Sequence, residues 1–111
     1  MKITKFDSDF VMSRIVRTIN ATHIGFMYLA ENGMIGYHQA TMPQLLLVVS
    51  GEGLVRGESD EYIKVEPGTA IMWKKGEWHE TKTEAGLNAI VIESEELNPS
   101  AYMPFTHRAD E

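Results

Sequence analysis

The chain has 111 residues, 43% hydrophobic and 23% charged, which suffices for one globular domain with one core but not for two. Its formal net charge of −6 argues against binding to nucleic-acid phosphates or to anionic membranes, since both require clustered Lys and Arg. There is no cysteine, so disulfides, thiolate nucleophiles and cysteine-ligated zinc are excluded.

The N-terminal part of the chain contains three candidate strands. Residues 3–6 can form a short edge strand. Residues 11–19 contain many Val, Ile and Thr residues, which favour a strand over a helix. Residues 24–30 form the third candidate, and the turn signal Glu31-Asn32-Gly33 ends it.

Two further candidate strands lie at residues 35–40 and 44–49, and the second is apolar at every position except Gln44. A strand that is apolar on both faces is expected to be covered on both sides. Its apolar run is far shorter than the ~20 residues of a membrane helix. The N-terminus shows no basic segment followed by an apolar core. We therefore expect a soluble, cytoplasmic protein without a membrane partner.

The most informative segment is EPGTAIMWKKGEWHET at residues 66–81. Pro67-Gly68 fits a type II turn, and Lys75-Gly76 marks a second turn. The residues between them are β-branched and aromatic, as in a strand. His79 then lies just past the second turn, on the same face as Glu77 if the chain resumes as a strand.

The remaining pattern is also one of short strands and turns. Additional candidate strands lie at residues 54–57, 62–65 and 87–93. Short strands at near-regular spacing, separated by Gly, Pro, Asn and Asp turns, are typical of an all-β sandwich or barrel. We expect a single domain over residues 1–111, with its core at about 11–94 and a polar C-terminal tail at 95–111.

The turn-rich segment resembles the second conserved motif of the cupin family. Gly68, Gly76 and His79 have the spacing G-x₇-G-x-x-H of that motif, with Lys74 where a proline is usual. The resemblance covers roughly residues 33–93. It implies a double-stranded β-helix, the jelly-roll barrel of the cupins, and a homodimer.

The first cupin motif is matched less completely. His38, Gln44 and Gly51 fall where that motif has its first histidine, its glutamate and its closing glycine. The second histidine of the motif falls at Ala40, which cannot ligate a metal. The resemblance therefore implies His38, Gln44 and His79 as candidate ligands of a divalent metal ion, either Fe, Mn, Ni or Zn.

Two neutral imidazoles and a neutral amide would leave the charge of a divalent ion uncompensated, which is costly in a half-buried site. Glu77 shares a face with His79, so it is the candidate for an added carboxylate and for the catalytic acid/base. Structural roles are the alternative. His79 can cap a turn, and Gln44 can satisfy the backbone of a neighbouring strand.

Two functions follow from these residues. One is a small-molecule-binding cupin that acts as a metal-dependent oxygenase, isomerase or lyase on a small polar or anionic compound. The alternative is a non-catalytic ligand-binding or sensor domain without a metal. Leu45, Leu47 and Val49 also form an apolar face opposite the barrel interior, which is a second reason to expect a homodimer.

Overall fold

The structure, a computed structural model, describes residues 15–16 and 18–97 in full and the strand backbone at 2–3, 10–11 and 106–108. Within this described part there is no helix, and hence none that could cross a membrane. The strands are β1 (Lys2–Ile3), β2 (Phe10–Val11), β3 (His23–Leu29), β4 (Met34–Gln39), β5 (Gln44–Gly51), β6 (Gly53–Arg56), β7 (Ile63–Val65), β8 (Ala70–Trp73), β9 (Trp78–Lys82), β10 (Leu87–Glu93) and β11 (Thr106–Arg108).

The strands form two facing sheets and a separate β1–β2 pair. The large sheet has the order β11-β8-β5-β10-β3, and the small sheet has the order β4-β9-β6-β7. Neighbouring strands are antiparallel, except that β11 runs parallel to β8. Along the chain, β3, β5, β8 and β10 lie in the large sheet, and the strands between them lie in the small sheet. This is a jelly roll, so the predicted all-β fold is confirmed.

Two glycine turns hold the ends of β8. At the first turn, Gly68 has a φ of 90° and the amide of Thr69 donates to the carbonyl of Glu66 at 2.9 Å. This is the type II turn predicted at Pro67-Gly68. Gly76 has a φ of 85° in the second turn. A side chain at either position would strain the backbone, so Gly68 allows the tight turn into β8 and Gly76 allows the tight turn from β8 into β9.

The core lies between the two sheets and is built by strict alternation along the strands. On β5, Leu46 and Val48 face the interior, whereas Leu45 faces outward and is also buried. The prediction that this strand is covered on both sides is therefore confirmed. The buried apolar residues of the inner core are Ala40, Leu46, Val48, Val55, Val65, Ile71, Trp73, Leu87 and Ala89.

The outer face of the large sheet is covered by the chain itself, which corrects part of the expected dimer face. Leu45 is 0% exposed and belongs to a cluster with Leu97, whereas Val49 is 49% exposed. Residues 15–16 pack against the same cluster and lie in no strand, although a strand is predicted over 11–19. Burying apolar side chains on this face of the sheet is favourable, at roughly 25 cal/mol per Å² of apolar surface.

The segment expected to be a tail contains one described strand. The backbone of β11 pairs with β8 at the edge of the large sheet. The rest of the predicted tail beyond residue 97 lies outside the described residues, as does most of the predicted edge strand at 3–6. The assignment of the whole chain to one domain stays a prediction.

Candidate functional site

Two of the predicted site residues meet between the sheets. His38 on β4 and His79 on β9 are direct cross-strand partners in the antiparallel register. Directly opposite side chains project from the same face of a sheet, and the two imidazole centroids are 4.4 Å apart. Two backbone hydrogen bonds beyond the end of β4 fix the register of β4 and β9. The amide of Ala40 donates to the carbonyl of Glu77, and the amide of Gly76 donates to the carbonyl of Ala40.

His79 is a buried imidazole that makes no hydrogen bond within the described part of the chain. It is 3% exposed, and neither Nδ1 nor Nε2 has a partner there. Its ring stacks on the buried indole of Trp73, with centroids 4.6 Å apart. Burial, and next the charge of His38, lower the pKa of His79 to about 4. The ring is therefore neutral at neutral pH, the form that accepts a proton or binds a metal ion.

His38 is more exposed and its tautomer follows from one contact. Its Nδ1 lies 2.7 Å from the carbonyl oxygen of Gly36. A carbonyl only accepts, so Nδ1 donates and carries the proton of the neutral ring. The lone pair is then on Nε2. A backbone contact of this kind orients a histidine and selects its tautomer, as in metal sites and in catalytic sites.

Gln44 contacts a carboxylate that the sequence analysis does not identify. Its Nε2 donates to Oε1 of Glu93 at 2.9 Å. The two residues are cross-strand partners on β5 and β10, and the register places His23 of β3 on the other side of Glu93. Glu93 is the last residue of a correctly predicted strand. Its proximity to Gln44 depends on pairing between segments that are 49 residues apart, and no local pattern signals that pairing.

Glu77 lies in the turn before β9. Its Oε1 accepts a hydrogen bond from the backbone amide of Lys74 at 2.7 Å, which closes the turn around Gly76. Unlike His79, it does not line the cavity described below. The catalytic role of Glu77 stays a prediction, while its observed contact is with the backbone of the turn.

A cavity of about 520 Å³ opens between the sheets at the position of the two histidines. We call it the histidine cavity. His38, Gln44, His79 and Glu93 all line it, among mostly apolar walls. A concave, largely apolar site with a few convergent polar groups is typical of small-molecule binding. The apolar part of the wall includes Ile35, Met42, Leu46, Trp73 and Val91.

The outer face of the small sheet carries a network that holds β9 in place. Arg56 Nε on β6 donates to Oε1 of Glu80 on β9 at 2.7 Å, and the hydroxyl of Tyr62 donates to the same oxygen. The Arg56 guanidinium also lies 4.3 Å from the ring centroid of Tyr37, which stacks on Trp78. The Tyr62 hydroxyl, and next the Arg56 guanidinium, lower the pKa of Glu80. Tyr37 and Glu80 therefore point away from the two histidines.

The donor set fits a divalent metal ion in part. His79 offers two buried nitrogens without partners, and His38 offers the lone pair of Nε2. However, the described residues contain no group of three or more His, Cys, Asp or Glu side chains that could hold a metal ion. Among the described residues, the predicted third ligand is the neutral amide of Gln44, which lines the same cavity.

Comparisons with solved structures agree on the fold. The chain is similar to a cupin superfamily protein from Desulfitobacterium hafniense, with a TM-score of 0.62, 16% identity and 74% of each chain covered. It is similar to a cupin-like protein from Thermotoga maritima, with a TM-score of 0.63, 16% identity, 67% of this chain covered and 57% of the other. For the DMSP lyase DddQ from Ruegeria pomeroyi, the TM-score is 0.61 at 19% identity.

The alignment with the lyase covers 65% of this chain but only 37% of the enzyme. No family model matches the sequence, and no curated protein is similar to it. At these identities the comparisons establish the fold alone, which is a jelly roll like that of the cupins. The activity has to be inferred from the site.

Proposed function

We propose that this cupin-like domain binds a small polar organic molecule in the histidine cavity. The observation that carries the proposal is the convergence of His38, His79, Gln44 and Glu93 on one cavity of about 520 Å³ with apolar walls. A cavity of that volume accommodates a metabolite-sized ligand. The unpartnered nitrogens of His79 provide a donor and an acceptor that a ligand can satisfy.

A matched pair of substitutions on β10 tests this proposal. Val91 lines the cavity, whereas the adjacent Ile90 packs on the outer face of the large sheet. We expect Val91→Phe to fill the cavity and to abolish the binding of small polar fragments detected by ligand-observed NMR. Ile90→Phe adds similar volume on the other face, so it should leave binding intact. Equal loss in both variants, or no fragment binding to the wild type, would contradict the proposal.

A second candidate, a metal-dependent cupin enzyme, is supported by the two unpartnered nitrogens of His79. His38 and His79 would hold a divalent ion, with the oxygen of Gln44 as a third ligand. A bound ion of this kind polarises an oxygen of the substrate as a Lewis acid. The chain itself would supply orientation through the Gln44–Glu93 hydrogen bond and exclusion of water around the buried ring of His79.

Elemental analysis of untagged protein separates the two candidates. Near-stoichiometric Fe, Mn, Ni or Zn in the wild type, absent from a His38→Ala, His79→Ala double variant, would support the enzyme. No metal in either protein after incubation with each ion would leave the ligand-binding domain.

We also propose a homodimer, now through β3. Among the described strands β3 pairs only with β10, at the edge of the large sheet, so its other edge can pair with a second copy. Its outward residues Ile24, Phe26 and Tyr28 are exposed, and Phe26 is 67% exposed. Antiparallel pairing of two β3 strands would place these side chains against their copies. Phe26→Glu should give a monomer in sedimentation velocity, whereas Leu54→Glu on the small sheet should leave the association state unchanged.

A further inference from the structure

The histidine cavity contains one fixed charge, which is negative, beside the titratable rings of His23, His38 and His79. Among the described residues that line it, Glu93 is the only carboxylate, and there is no lysine or arginine. An anionic ligand would therefore meet a like charge and no fixed cation. This differs from the sequence-based expectation, in which an anionic compound is one of the ligand classes.

Glu93 is held in position, and no cationic side chain among the described residues neutralises it. The Gln44 amide donates to its Oε1, and a neutral amide orients a carboxylate without cancelling its charge. No lysine or arginine of the described residues is within ion-pair distance of Glu93. A half-buried carboxylate without a counter-charge is costly, and an added cation would remove part of that cost.

The neighbouring groups favour a cation that carries an apolar body. His79 is buried in the same cavity, and neither of its ring nitrogens has a hydrogen-bond partner among the described residues. Met42, Leu46 and Val91 provide apolar wall next to the polar row of Gln44 and Glu93. Methionine adapts well to ligands of varied shape.

We infer that the histidine cavity selects a small primary amine with an apolar body, and that Glu93 binds its ammonium group. The inference rests on the proposed binding function and specifies its ligand class. The ammonium donates to Glu93, whose position is set by Gln44, and the apolar body packs between the sheets. A charge-assisted hydrogen bond of this kind is shorter and stronger than a neutral one.

Three probes that share one ring test the inference in the full chain after dialysis against EDTA. They are benzylamine, benzyl alcohol and benzoate, titrated by two-dimensional NMR with Trp73 and His79 as reporters of the cavity. We expect benzylamine to bind about ten- to a hundredfold more tightly than benzyl alcohol, the range that one hydrogen bond to a charged group supports. Benzoate should bind most weakly.

Glu93→Gln removes the charge and keeps an acceptor for Gln44. It should abolish the preference for benzylamine over benzyl alcohol. Glu95→Gln is the matched control, because Glu95 is exposed and pairs with Lys75 at the surface. It should keep the preference. The order of the three probes in the wild type tests the inference even if Glu93→Gln does not fold.

These titrations distinguish a wrong ligand class from the absence of a binding function. Benzyl alcohol or benzoate binding as tightly as benzylamine would overturn the inference and leave the proposed binding function in place. Absence of binding by all three at millimolar concentration would count against both. A preference for benzylamine that survives Glu93→Gln in a folded protein would overturn the role of Glu93.

Discussion

Replacing His79 with phenylalanine should stabilise the metal-free protein while it removes the central polar group of the cavity. The histidine ring is 3% exposed and has no hydrogen bond on either nitrogen. A buried unsatisfied polar group costs about 1–3 kcal/mol, and an apolar ring of similar shape does not carry that cost. The introduced phenyl ring would keep the stacking contact with Trp73. We therefore expect His79→Phe to raise the free energy of unfolding at neutral pH.

The free energy of unfolding should also depend on pH through His79. The pKa of His79 is about 4 in the folded protein, below its ordinary value of 6.5. The unfolded chain thus takes up the proton first as the pH falls. Stability from the neutral buried ring is complete above about pH 6.5 and is lost progressively down to about pH 4. The pKa difference corresponds to about 3 kcal/mol.

Urea unfolding followed by tryptophan fluorescence, in EDTA and at a series of pH values, measures this loss. Between pH 6.5 and pH 4, the free energy of unfolding of the wild type should fall by up to about 3 kcal/mol more than that of His79→Phe. Thr81→Val, a buried non-titrating change on the same strand, should keep the slope of the wild type. Parallel losses in the wild type and His79→Phe would show that the ring is hydrated or hydrogen-bonded in solution, contrary to this prediction.

Three further predictions concern the scaffold around the site. Leu45→Ala should cost about 2–5 kcal/mol in urea unfolding because Leu45 is fully buried, whereas Val49→Ala at an exposed position should change little. Gly51→Ala should destabilise the fold and lower the thermal midpoint, since its φ is 79° and an added Cβ would lie 2.2 Å from the carbonyl oxygen of Gly86. Glu77→Ala should cost about 1 kcal/mol through the lost contact with Lys74 and leave benzylamine binding intact in the same NMR titration. Weaker binding in Glu77→Ala would instead favour the predicted acid/base role.

The fold could be predicted because its signals are local. Gly68 and Gly76 mark two predicted turns, and both glycines have a positive φ in the structure. The strand at Leu87–Glu93 has the predicted bounds. The strand predicted over 11–19 is not formed at residues 15–16, because β-branched residues can also pack over the face of a sheet. At Ile15 and Val16 the apolar cluster on the large sheet determines the conformation.

The site could be predicted only in part, for a physical reason. His38 and His79 are identified by their motifs, and their proximity follows from the β4–β9 register. Glu93 is outside both motifs and lies at the end of an ordinary strand. Its place beside Gln44 is set by the strand order of the large sheet, which brings β5 and β10 together. Strand order depends on long-range packing, so the residues near Glu93 in the sequence do not indicate that Glu93 lies beside Gln44.

The network on the outer face of the small sheet has a consequence for how new activities can arise on this scaffold. Arg56, Tyr62 and Glu80 hold β6 and β9 together from outside, while His79 projects inward from the same strand. His38 and His79, two residues of the proposed binding site, thus lie on the face of the small sheet opposite the groups that maintain the strand pairing. We expect substitutions at His38, Gln44, His79 and Glu93 to change what the cavity accepts while this network keeps β6 and β9 paired. The domain is for this reason well suited to diversification, and a library confined to these four positions should retain a high proportion of folded variants.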